Sequence, residues 1–183
     1  MTDYYEHPFS GWVVYEDPKE QLKEVKIMNV KFKRLHPNAV IPAQGTEGDT
    51  GFDMVATSME VKDDYVEYGT GIAVQVQPGY AFETRARSSV SKYDLMLANG
   101  VGTIDNGYQG EIKFRFKINR PWYRSPFSTK KPKLYNIGDR IGQIMIEKTY
   151  KIKWQEVSQF VDVSQRGAGG FGSTDKVIES NRL

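Results

Sequence analysis

Ile112, Phe114, Phe116 and Ile118 alternate strictly with Lys113, Arg115 and Lys117. A period of two commits this run to a strand with one buried and one wet face, which no helix can satisfy. The same texture recurs in short runs over Val25–Leu35, Phe52–Ala56, Ile72–Val76, Tyr80–Arg85, Glu111–Ile118, Ile141–Lys148 and Ile152–Val161. Turn chemistry separates them, as at Pro78-Gly79, Asn106-Gly107 and Ile137-Gly138-Asp139. Only Ser88–Leu95 suits a short helix or turn. Many short strands at this spacing predict an all-β sandwich, barrel or jelly roll, not a doubly wound sheet.

The totals narrow the chemistry. At 183 residues the chain can bury one full domain. No run approaches the roughly 20 apolar residues of a membrane span, and no charged-then-apolar leader opens the chain, so a cytoplasmic protein is expected. A net charge of +2 gives no reason to expect a nucleic-acid partner. The chain has no cysteine and two histidines, His7 and His36. Disulfides and Cys/His zinc sites are excluded, and a His-activated nucleophile is improbable. Carboxylates, Arg and Lys, amides, hydroxyls and backbone remain, a set suited to phosphoryl chemistry with a metal delivered by the substrate.

Organisation follows from composition. Residues 1–24 read as an N-terminal extension, 25–163 as a β domain, and 164–183 as a glycine-rich arm with a polar tail. Within the domain, 119–133 is a basic interruption carrying Arg120, Arg124, Lys130, Lys131 and Lys133 without an acid. It reads as a solvated loop, the alternative being a loop that contacts a protein partner or a polyphosphate.

Several motifs carry possible chemistry. Leu97–Glu111 reads as two apolar strand pieces around an Asn106-Gly107 hairpin turn, with Asp105 at its mouth. Gly100, Gly102 and Gly110 remove side chains there, leaving bare backbone against which a flat ligand can lie. Arg85-Ala86-Arg87-Ser88-Ser89 offers guanidinium and hydroxyl groups to a triphosphate, or is a solvated strand end. Gly138-Asp139-Arg140-Ile141-Gly142-Gln143 is a turn feeding an apolar strand, with Gln143 a polar exception. Gly48-Asp49-Thr50-Gly51-Phe52-Asp53 is an acidic turn in which Asp53 could simply cap backbone donors. Gly167-Ala168-Gly169-Gly170-Phe171-Gly172 formally matches G-x-G-x-x-G, but no helix pattern follows, so neither a dinucleotide loop nor a Walker loop is supported. Its backbone N–H groups, with Arg166, Ser173 and Thr174, could still wrap phosphate.

Taken in order, these five motifs resemble those of the trimeric dUTPase family over roughly residues 26–175. Departures are Ala86 where proline or glycine is common, Gly142 where alanine is usual, and Asp175 where glycine is common. The resemblance implies a jelly-roll (β-clip) homotrimer whose active sites are shared between subunits. It further implies hydrolysis of dUTP to dUMP and pyrophosphate, with Asp105 activating a water for attack on the α-phosphorus. Mg²⁺ is then the implied cofactor, held by the triphosphate with no protein ligand. By the same resemblance Arg87, Ser88, Ser89 and Gln143 contact phosphates. Asn99, the backbone of Gly102, Thr103 and Ile104, and Lys113 read the uracil edge, and Tyr108 presses on the deoxyribose. Arg166, Phe171, Gly172, Ser173 and Thr174 form an arm that closes on ligand, and Asp53 supports the site structurally. Two alternatives share the scaffold. A dCTP deaminase needs a glutamate on the strand after the hairpin, where Arg115 stands; a catalytically silent nucleotide-binding regulator is the other.

Overall fold

The structure, a computed structural model, describes residues 4–7, 11–14, 27–119, 131–160 and 167–169. The chain divides into two compact units, Met1–Thr149 and Tyr150–Leu183. The described residues of the first form twelve strands: β1 (Tyr4–His7), β2 (Gly11–Val14), β3 (Lys31–Arg34), β4 (Phe52–Val55), β5 (Ser58–Val61), β6 (Tyr65–Gly69), β7 (Ile72–Gln75), β8 (Tyr80–Ala86), β9 (Leu95–Leu97), β10 (Val101–Ile104), β11 (Lys113–Ile118) and β12 (Arg140–Lys148). One four-stranded sheet has the order β10-β8-β12-β4 and another β5-β6-β11-β9. β1 pairs with β2 and β3 with β7. All these pairings are antiparallel. The only helical element among the described residues is a 3₁₀ turn, Ser88–Lys92, inside the expected Ser88–Leu95 window. None of their helices is long and apolar enough to cross a membrane.

The alternation on β11 works as expected. Phe114 and Phe116 are buried while Lys113, Arg115 and Lys117 are exposed, because the strand lies between β6 and β9 with one face on the core. Tyr68, Phe116 and Tyr135 pack edge-on or tilted at centroid distances of 5.7–6.1 Å. Met54, Ile72, Ile112, Ile141 and Ile144 complete the same cluster.

Gly142 explains how the two large sheets approach. A Cβ there would overlap the buried Phe114 ring, falling 2.7 Å from Cδ1 and Cζ and closer still to Cε1. The missing methyl is therefore a space filled by an aromatic from the facing sheet, the physical reason this chain carries glycine in Gly-Gln. Gly142→Ala is expected to cost about 1–3 kcal/mol by overpacking. Adding Phe114→Leu should return most of it, and thermal melts of the single and double variants check both.

Three local expectations change. The Leu97–Glu111 segment is not a two-stranded hairpin: β9 joins β11 in one sheet and β10 joins β8 in the other. Gly107 does not adopt a positive φ; Gly100 does, at 64°, where the chain leaves one sheet for the other. Long-range burial of Leu95, Leu97 and Ile104 outweighs the local turn preference. No strand forms over Ile152–Phe160, and Ile152, Trp154 and Phe160 are exposed. Within residues 1–24, where the sequence suggested no strand, β1 and β2 form a ladder.

Candidate active site

The crossing from β9 to β10 opens a cleft of about 510 Å³ between the two sheets. Its walls bring together Asn99, Gly102, Thr103, Ile104, Asp105, Tyr108 and Lys113. Bare backbone at Gly102 admits the Thr84 hydroxyl and the Asn99 amide, either of which a Cβ would displace. Beyond β10 the backbone N–H of Tyr108 donates to the Asp105 carbonyl at 3.0 Å, and Asn106 Nδ2 donates to the Val76 carbonyl at 2.8 Å. This turn holds the Asp105 carboxylate exposed at the cleft mouth. Tyr108 folds back over Gly110, where a Cβ would lie 2.6 Å from its ring, and its hydroxyl donates to the Glu111 carbonyl at 3.0 Å.

The far wall carries a charged group that the sequence did not single out. Glu67 on β6 stands opposite Arg115 in the β6–β11 ladder. Its carboxylate accepts from Lys113 Nζ at 2.8 Å and from Arg115 Nε at 2.7 Å. Those two hydrogen bonds hold the Glu67 carboxyl below the usual range, and the Lys113 ammonium is pushed up in return. No sequence signal links Glu67 to β11, because the pair forms only through strand register.

A second group of expected residues gathers around Asp53, which is buried at 7% exposure. Arg87 Nε donates to Asp53 Oδ1 at 2.8 Å, Arg140 Nη1 to Oδ2 at 3.0 Å, and Gln143 Nε2 to Oδ1 at 3.1 Å. Arg87 Nη1 also approaches the Ser89 hydroxyl at 3.3 Å. Gly51 makes room for Gln143, since a Cβ there would sit 2.9 Å from its Oε1. Asp53 thus ties β4, the end of β8 and β12 into one anionic hub surrounded by donors. Arg87, Ser89 and Gln143 belong to this hub; neither they nor Ser88, which opens the 3₁₀ turn, line the cleft. Arg166, Phe171, Gly172, Ser173 and Thr174 lie outside the described residues.

Comparison with known proteins places this architecture. A family model described as dUTPase matches residues 37–175. The deoxyuridine 5'-triphosphate nucleotidohydrolase of Helicobacter pylori strain P12 is 39% identical over 150 residues, covering 80% of this chain and 97% of that protein. The one from Wolinella succinogenes is 37% identical over 158 residues, covering 85% and 99%. The structure of the Staphylococcus bacteriophage 80alpha dUTPase with dUpNHpp aligns with a TM-score of 0.66 at 26% identity, over 79% of this chain and 97% of that one. With matched residues running from before β4 through the glycine-rich arm, the chain belongs to the dUTPase family and is a dUTP diphosphatase that hydrolyses dUTP to dUMP and pyrophosphate.

Proposed function

We propose that the cleft between β9, β10 and β11 is the deoxyuridine slot and that Asp105 is the catalytic carboxylate. The observation that carries this reading is the single cleft holding Asp105, Asn99, Tyr108 and the bare β10 backbone together. Asp105 accepts a proton from a water as the water oxygen bonds to the α-phosphorus. The bond from that phosphorus to the bridging oxygen breaks, and pyrophosphate leaves with the electron pair. Asn99, the backbone of Gly102, Thr103 and Ile104, and Lys113 read the uracil edge. The 80alpha enzyme, solved with dUpNHpp, supports a nucleotide triphosphate as the ligand class.

Arg87, Ser88, Ser89 and Gln143 grip the phosphates. They stand apart from the slot on this chain, which favours a homotrimer whose sites are each completed by neighbouring copies. Arg166, Phe171, Gly172, Ser173 and Thr174 close over the ligand from the C-terminal arm. Magnesium carried by the nucleotide fits the chemistry, because triphosphate oxygens are hard ligands suited to the ion. When bound, Mg²⁺ supplies charge neutralisation for the departing pyrophosphate. The basic segment 119–133 is left as a candidate partner contact, and the setting is cytoplasmic.

Deamination of dCTP is disfavoured by the far wall. Arg115 occupies the position where that chemistry needs a glutamate, and the nearby Glu67 is held ionised by two cations. A carboxylate so held is a poor proton donor. The test is pyrophosphate release with Mg²⁺ from dUTP, dCTP, dTTP and UTP, with ammonia assayed in parallel. Turnover of dUTP alone is expected; ammonia from dCTP would overturn the reading. Tyr108→Ala removes the ring pinned over Gly110 and should raise the UTP-to-dUTP ratio of kcat/KM about tenfold. An unchanged ratio would move sugar discrimination elsewhere.

A further inference from the structure

Glu111, between Tyr108 and the start of β11, is half-buried on the cleft wall. Its Oε1 accepts from the backbone N–H of Gly71 at 2.7 Å, in the turn between β6 and β7. Gly71 has a φ of 65° and belongs to neither strand, so its N–H needs a partner from outside the ladders. Bare backbone at Gly69 lets the carboxylate in, since a Cβ there would fall 2.6 Å from the same oxygen. The next residue is fastened to the same turn. Ile112 N–H donates to the Ile72 carbonyl at 2.8 Å, and the Thr70 hydroxyl donates to the Ile112 carbonyl at 2.7 Å.

The main chain of Glu111 has a second task. Its carbonyl accepts the Tyr108 hydroxyl at 3.0 Å, the bond that holds that ring over Gly110. Tyr108 is 48% exposed, so packing alone does not fix its ring, and the place of that carbonyl decides where it stands. We propose that Glu111 is a positioning residue for the sugar wall of the cleft: its carboxylate, pinned on the Gly71 N–H, sets the carbonyl that anchors Tyr108, and so sets how strictly ribose is refused. The inference rests on the reading of Tyr108 as the deoxyribose contact. A wall excludes one added hydroxyl only when it does not yield, and a ring free to swing yields. The carboxylate suits the task because an ionised acceptor makes the stronger bond to a main-chain N–H. Nothing in this tie touches the reacting atoms, so its loss bears on selectivity and KM and not on proton transfer at Asp105.

The experiment measures kcat and KM for dUTP and UTP in Glu111→Ala, Glu111→Gln, Tyr108→Phe, Tyr108→Ala and the double variant Glu111→Ala/Tyr108→Ala, with thermal melts beside them. Glu111→Ala should raise the UTP-to-dUTP ratio of kcat/KM about threefold to fivefold, with kcat for dUTP held within about twofold. Glu111→Gln should stay near the parent ratio, because its amide oxygen still accepts from Gly71. Tyr108→Phe keeps the ring but removes its anchor, and should raise the ratio as Glu111→Ala does; it carries the test if the alanine at 111 folds poorly. The double variant should go no further than Tyr108→Ala, since both act through one ring. A lowered melting temperature in Glu111→Ala with an unchanged ratio would reduce Glu111 to a turn cap and overturn the inference. So would an unchanged ratio in Tyr108→Phe, or a rise in Glu111→Gln equal to that in Glu111→Ala. If Tyr108→Ala itself leaves the ratio at the parent value, the reading of Tyr108 as the sugar contact fails instead.

Discussion

Asp105→Asn is expected to retain dUTP binding while kcat falls about 10²–10⁴-fold, the range supplied by a positioned general base. Binding survives because the turn is held by main-chain and neighbouring groups and not by the carboxylate. The Tyr108 N–H to Asp105 carbonyl bond and the Asn106 to Val76 anchor are both unaffected by the exchange. Asparagine keeps the size and a hydrogen-bonding oxygen but cannot take a proton from water. Pyrophosphate release at saturating dUTP, beside dUpNHpp titration, checks both halves. Turnover within tenfold of the parent enzyme would remove Asp105 from the proton transfer.

Asp53→Ala is expected to produce the largest loss of stability, about 3 kcal/mol, the lower end for breaking a buried ion pair. Three donors lose their common acceptor, and Arg87 is the most affected because it is the less exposed of the two arginines. Arg140 is exposed enough to regain water, which moderates the loss. For a chain of this length the melting temperature should fall by roughly 6–12 °C. Asp53→Asn should lose less, because the amide oxygen still accepts from Arg87. Because Arg87 loses its orientation, activity should fall alongside stability. A calorimetric melt unchanged by the alanine would refute the hub.

What could be read in advance depended on whether the deciding contact was local. The alternation on β11 survives in the fold because one face of that strand is buried and the other wet. β6 leaves no such trace: Val66, Glu67 and Tyr68 are all buried, so nothing alternates, and an acid and a glycine dilute the apolar run. β5 is exposed at every position and equally silent. Asn106-Gly107 suggested a hairpin correctly as a turn signal and wrongly as a pairing signal, since β10 finds its partner in β8. Among site residues, Asp105, Asn99 and Tyr108 lie close in sequence and stood out together. Glu67 did not, because it meets its site across strand register.

The Gly142–Phe114 fit also couples two positions that lie on facing sheets. Residues 142 and 114 share one volume, so the effect of an exchange at either depends on what stands at the other. A methyl at 142 is strained against phenylalanine at 114 and relieved by a smaller side chain there, while shrinking residue 114 alone opens a void. Within the physics of this pair, the ring must shrink before the methyl can be added without strain.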